Sequence, residues 1–218
     1  MTRILVFFAT LMLAEPAVAG AWMREVGSTF LSFSTTVDEN GQLDGALYVE
    51  HGLRPKLTLG LKIDMDMTLG RMGDGAAFVF VRKPIASGER SYELAYEIGL
   101  GSTTGDGATA LLRVALSYGR GVNLWDKPGW VAVDATVEWP TDDSSTTTKL
   151  DGTLGMNVSD RFQVMMQVFF TDTGSSQSTT LAPSMIWRAA PDGPTRYQVG
   201  IEAEDGSLGF KLGVWRTF

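Results

Sequence analysis

The stretch Leu208-Gly-Phe210-Lys-Leu212-Gly-Val214-Trp-Arg216-Thr-Phe218 carries an apolar side chain at nearly every second position and ends on an aromatic. A period of two is the signature of a β-strand, because successive side chains point to opposite faces. Here one face presents Leu208, Phe210, Leu212, Val214 and Phe218, and the other presents Gly209, Lys211 and Gly213. A strand of that kind suits two different surroundings, lipid outside and an aqueous lumen inside. The stretch therefore reads as the closing strand of an antiparallel transmembrane β-barrel.

The same rhythm runs through the rest of the chain. Strand-like stretches are predicted at Gly27 to Thr36, Gln42 to Glu50, Lys56 to Asp66, Ala76 to Lys83, Ser91 to Ser102 and Ala108 to Arg120. Six more follow at Trp130 to Trp139, Thr147 to Asn157, Phe162 to Thr171, Ser178 to Arg188, Arg196 to Glu204 and Ser207 to Phe218. Turn signals separate them, among them Asp38-Glu-Asn-Gly41, Thr104-Gly-Asp-Gly107, Asp126-Lys-Pro-Gly129 and Asp205-Gly206. The fold class is thus all-β, an up-and-down antiparallel barrel of about twelve strands, with ten as the alternative. An even count places both termini on the periplasmic side. Outer loops then fall at residues 37–41, 67–75, 103–107, 140–146, 172–177 and 205–206.

Alternation fixes which face is which. The third strand offers Leu57, Leu59, Leu61, Ile63 and Met65 outward against Thr58, Gly60, Lys62, Asp64 and Asp66 inward. The seventh offers Val131, Val133, Ala135, Val137 and Trp139 against Asp134, Thr136 and Glu138. A slip of one residue would drive the charges into lipid. Outward aromatics collect at strand ends: Tyr92, Tyr118, Phe162, Trp187, Tyr197 and Phe218 at the periplasmic end, Trp139, Phe170 and Phe210 at the other. Two girdles at the membrane interfaces are the expected result.

The N-terminus reads as an export signal. Arg3 supplies a positive charge, Ile4 to Leu13 an apolar stretch, and Ala17-Val18-Ala19 a small-residue cleavage site. Residues 1–19 are the expected signal peptide, with cleavage near Ala19 or, shifted, near Ala21, and residues 20–218 a single barrel domain. With no cysteine in the chain, disulfides, thiol chemistry and lipid anchoring through cysteine are excluded. A mean hydropathy of +0.04 fits a barrel, whose apolar positions alternate with lumen positions. A net charge of −7 argues against nucleic acid as a partner.

On these residues the chain resembles the small outer-membrane β-barrel proteins of Gram-negative bacteria. Signal, strand rhythm and terminal strand carry the resemblance, with Phe210, Leu212, Val214 and Phe218 in the positions that this family uses as its assembly signal. The resemblance implies an outer-membrane location and recognition of the last strand by the barrel-assembly machinery, with contacts to membrane lipid and lipopolysaccharide. Arg216 departs from the pattern, and at an interface its long side chain can snorkel. The Ala21-Trp22 start and the Tyr48-Val-Glu-His-Gly-Leu-Arg54 stretch are similar to uncharacterised barrels of alphaproteobacteria.

Inward parity selects the candidate lumen residues: Asp44, Glu50, Lys62, Asp64, Glu93, Glu97, Arg113, Asp134, Glu138, Lys149, Asp151, Glu202, Glu204 and Lys211. Acids outnumber bases in this set, and unpaired inward carboxylates favour cations over anions. The expectation is a porin-like passive channel for small hydrophilic or cationic solutes. The alternative is a closed-lumen structural or surface-interaction barrel. An enzyme is not expected: His51 is the one histidine, placed in a predicted periplasmic turn, and no Gly-x-Ser-x-Gly is present. No cofactor or resident metal is expected. Lys62-x-Asp64-x-Asp66 reads as ion pairing, Gly99-Leu-Gly101-Ser-Thr-Thr-Gly105 as a hairpin, and Asp142, Asp143 and Asp172 as solvated loop acids.

Overall fold

A computed structural model describes residues 20–68, 71–85, 91–105, 107–142, 145–191 and 193–218, with the side chains of residues 67, 68, 71 and 72 left aside. The predicted signal peptide lies outside the described residues. Twelve strands form one closed antiparallel barrel. They are β1 (Thr29–Asp38), β2 (Leu43–Arg54), β3 (Leu57–Thr68), β4 (Arg71–Pro84), β5 (Glu93–Thr104) and β6 (Ala110–Leu124). The second half comprises β7 (Lys127–Pro140), β8 (Thr147–Asn157), β9 (Phe162–Asp172), β10 (Gln177–Arg188), β11 (Thr195–Glu204) and β12 (Ser207–Thr217). Every strand pairs with its sequence neighbours, and β12 returns to β1, from Phe30 opposite Thr217 to Asp38 opposite Gly209. The Phe218 amide donates to the Thr29 carbonyl at 2.8 Å, so the last residue seals the seam.

Strand length explains why this sheet crosses a membrane. The strands run from 10 to 15 residues, enough for tilted spans of the hydrocarbon core. The outward row is mostly apolar, with Ile201, Phe210 and Leu212 about half exposed and Leu100 more so. The terminal-strand residues Phe210, Leu212, Val214 and Phe218 all belong to that outward row. Aromatics at the strand ends read as periplasmic contact one another. Trp187 sits opposite both Phe162 and Tyr197, and the Trp187 and Tyr197 rings lie 5.6 Å apart. Tyr92 stacks on Tyr118 at 5.9 Å.

Several connections are shorter than predicted, two of them instructively. The glycine-rich stretch read as a loop from Leu69 is strand from Arg71 onward, because β4 keeps pairing with β3 past a bulge at Met65 and Met67. The stretch from Asn123 to Gly129 is also strand at both ends; only Trp125 and Asp126 turn, both with positive φ (48° and 61°). A primed two-residue turn of this kind matches the twist of its flanking strands. It is invisible in sequence when no glycine marks it. Asp205 and Gly206, with φ of 48° and 89°, form the hairpin that their sequence announces.

Candidate functional site

The barrel interior is where the sequence places charge, and seven charged side chains join there into a chain of alternating sign. Arg24, just before β1, donates from Nε to Glu50 Oε2 of β2 at 2.6 Å. Arg82 of β4 donates to Glu50, to Glu97 of β5 and, at 2.7 Å, to the Tyr48 hydroxyl. Arg113 of β6 lies 3.6 Å from Glu97 and donates to Glu138 Oε1 of β7 at 2.6 Å. Lys149 of β8 completes the series, 3.0 Å from Glu138 Oε2. The series covers more than half of the inner wall.

Local sequence makes this reach possible. Between β2 and β4 stands β3, whose inward positions there are Thr58 and Gly60. A β-carbon on Gly60 would run into the Phe80 ring, so only glycine lets Phe80 and Arg82 lean across to β2. Tyr48 then stacks on Phe80 with centroids 5.8 Å apart. Arg82 lies 5.5 Å from the Phe80 centroid, and Arg113 lies 5.6 Å from that of Phe78. Aromatic faces replace part of the hydration that a buried guanidinium loses. Burial is nearly complete: Glu50 is 1% exposed, Arg82 2% and Glu97 3%. Such ions hold only because each has partners, since desolvation of a lone one costs several kcal/mol.

Toward the outer loops the lumen changes character. Lys62 pairs with Asp64 at 3.0 Å, and Lys211 pairs with Glu202 at 2.6 Å while Thr36 donates to the same carboxylate at 2.7 Å. The Asp64 side chain is 38% exposed and Lys62, Glu202 and Lys211 are only partly buried, so this end forms a vestibule less tightly packed than the buried series. Asp44, Asp66 and Asp151 belong to it as well, giving a local excess of acids over Lys62, Lys149 and Lys211. On β9 to β12 the inner wall is largely neutral, built from Gln163, Gln167, Ala182, Ser184, Gln198 and Gly200.

The predicted site residues divide accordingly. Glu97, Arg113, Glu138 and Lys149 come together in the buried series. Lys62, Asp64, Asp151, Glu202 and Lys211 line the vestibule or its floor. Asp134 sits inward in mid-strand, opposite Ser117 and Asp151. Glu93 and Glu204 are exposed at the barrel rims, where Glu204 accepts from Thr180 Oγ1 at 2.8 Å. The expected free carboxylate at Glu97 is instead held between two arginines. Sequence reading overlooked Arg24, Tyr48 and Arg82. The β4 segment Phe78-Val-Phe80-Val81 is apolar on both faces, which hides its parity; Arg24 lies outside any strand. His51 is in β2 rather than in a turn, with Nδ1 2.9 Å from Thr29 Oγ1.

A closed twelve-stranded barrel, apolar outside and charged within, is a transmembrane β-barrel of the outer-membrane type. Among solved structures, the chain is similar to the KdgM porin, with a TM-score of 0.66 at 11% identity over 87% of this chain and 99% of that one. It is also similar to the NanC porin, with a TM-score of 0.57, 12% identity and coverage of 84% and 98%. The COG4313 outer membrane channel from Pseudomonas putida F1 gives 0.55, 13%, 89% and 97%. These likenesses are of fold. No protein-family model matches the sequence, and a search of curated proteins finds no match. The resemblance to alphaproteobacterial barrels finds no support in these structures.

Proposed function

We propose that the protein is a passive outer-membrane channel for small hydrophilic solutes, with a preference for cations. The observation that carries this reading is the gradation along the lumen: an acid-rich vestibule above a stretch walled by the buried Arg24–Lys149 series. A cation entering the vestibule meets more carboxylates than ammonium groups, and below it passes fixed charges whose signs nearly cancel. Fixed, mutually paired charges orient small polar solutes without trapping them. KdgM has been solved with oligogalacturonate, a polyanion. The acidic vestibule here favours the opposite charge.

The outer-membrane setting follows from the apolar outer belt with its aromatic ends. The aromatic β12 face suits recognition by the barrel-assembly machinery, and lipid and lipopolysaccharide would cover the outward row. A second reading, a closed structural barrel, draws on the near-complete burial of Arg82, Glu97 and Thr136 in the middle of the lumen. Planar-bilayer recording on folded protein under a salt gradient separates the two. Discrete steps with a cation-sided reversal potential support the channel, and silence supports the closed barrel.

A further inference from the structure

Residues 20–28 do not trail away from the barrel but turn back into it. The Gly27 amide donates to the Gly52 carbonyl at 2.8 Å, and the Gly52 amide donates to Ser28 at 3.0 Å. Val26 thereby bridges β2 in parallel. Further in, the Arg24 amide donates to Thr58 Oγ1 at 3.2 Å, and its guanidinium lies 4.3 Å from the Phe30 ring centroid. Trp22 packs beside the buried Trp130, Met165 and Ile186. A β-carbon on Gly119 would come within 2.7 Å of the Trp22 ring, so glycine there makes its seat. Ala21 is 1% exposed. The segment crosses the periplasmic half of the lumen.

Its far end meets Asp134. A β-carbon on Gly20 would collide with the Asp134 carboxylate, so by standard backbone dimensions the Gly20 nitrogen lies within about 5 Å of it. Asp134 accepts a hydrogen bond from Ser117 and faces Asp151 directly across the β7–β8 ladder, a like-charge pairing that a cation placed on Asp134 would relieve. Among the described residues, Asp134 makes no ion pair with a lysine or arginine. The small-residue motif Ala17-Val18-Ala19 ends immediately before Gly20.

We propose that cleavage after Ala19 creates a Gly20 α-ammonium that pairs with Asp134 inside the barrel, latching residues 20–25 as a built-in plug. Processing hydrolyses the Ala19–Gly20 peptide bond, and the released amine takes up a proton to become a cation beside Asp134. The latch and its seating stand on geometry alone; the consequence for conduction rests on the channel reading given above.

The test uses the full chain, exported with its own signal and extracted from outer membranes. Its intact mass should correspond to a start at Gly20; a start at Trp22 or with the signal retained overturns the proposal. The absence of native cysteine makes Ala21→Cys a clean reporter of seating against a maleimide, with Val26→Cys, at a 60% exposed site, as the open reference. Labelling at position 21 should be slow, and adding Asp134→Asn should speed it about tenfold, as should N-terminal acetylation of refolded protein. Equal rates at positions 21 and 26 in the otherwise native chain overturn the plug. A slow rate unchanged by both Asp134→Asn and acetylation overturns the latch. Heat-modifiable migration confirms that each variant is folded. Because labelling and mass need no conductance, a barrel that stays silent after deletion of residues 20–25 would refute the channel and leave the latch standing.

Discussion

The two halves of the inner wall solve one problem in different ways. From β2 to β8 the lumen is filled by ions that satisfy one another over long distances in sequence, as when Arg82 joins Glu50 and Glu97. From β9 to β12 charge is sparse, and amides, hydroxyls, small residues and the apolar Met165 and Ile186 take up most of the wall: Gln198 Nε2 donates to Ser184 Oγ at 3.0 Å, Gln163 Nε2 donates to Asn157 Oδ1 at 2.7 Å, and Lys211 pairs with Glu202. An ionic wall carries a large desolvation cost and stands only while complete. A neutral wall loses about one hydrogen bond at a time. The difference points to the ionic half as the seat of selectivity.

That contrast can be broken most severely at Arg82. Arg82→Ala strands Glu50 and Glu97 without their shared cation, which for a buried network costs about 3–5 kcal/mol. The folded, heat-modifiable band should then vanish at a much lower temperature than in the native protein. An intermediate effect is expected at a purely steric contact between β7 and β8. A β-carbon on Gly155 would enter the Trp130 ring, so Gly155→Ala should cost about 1–3 kcal/mol in urea unfolding from detergent. Unchanged stability there would show that the Trp130 ring moves freely.

Glu97→Gln keeps the shape but leaves Arg82 and Arg113 with one carboxylate fewer. For a cation passing about 10 Å away, the barrier should rise by roughly 1–2 kcal/mol, visible as a reversal potential shifted toward the anion side. Smallest is Gln198→Ala, which removes one bond to Ser184 and should cost about 1 kcal/mol with selectivity intact. If Gln198→Ala altered selectivity more than Glu97→Gln, the division of labour between the walls would be wrong.

Most of the architecture was legible in the chain. Alternation in strands such as Leu57 to Asp66 and Trp130 to Trp139 reveals face and register together, because a charge on the wrong face meets lipid. Inward placement of Glu97, Arg113, Glu138 and Lys149 followed from the same rule. Pairing did not, since a strand pattern says which face a residue occupies and not what stands across the lumen. Arg82 escaped notice beside a segment apolar on both faces, and Arg24 because its segment has no period at all. Gly60 and Gly155 looked like ordinary strand glycines; only the folded barrel shows the rings that need their space.

Single-channel recording of the purified, folded protein in a planar bilayer with a salt gradient tests the central claim most directly. Small discrete steps and a reversal potential on the cation side, weakened by Glu97→Gln, are expected. Anion selectivity, or no steps both from the folded protein and from folded protein lacking residues 20–25, would contradict this reading.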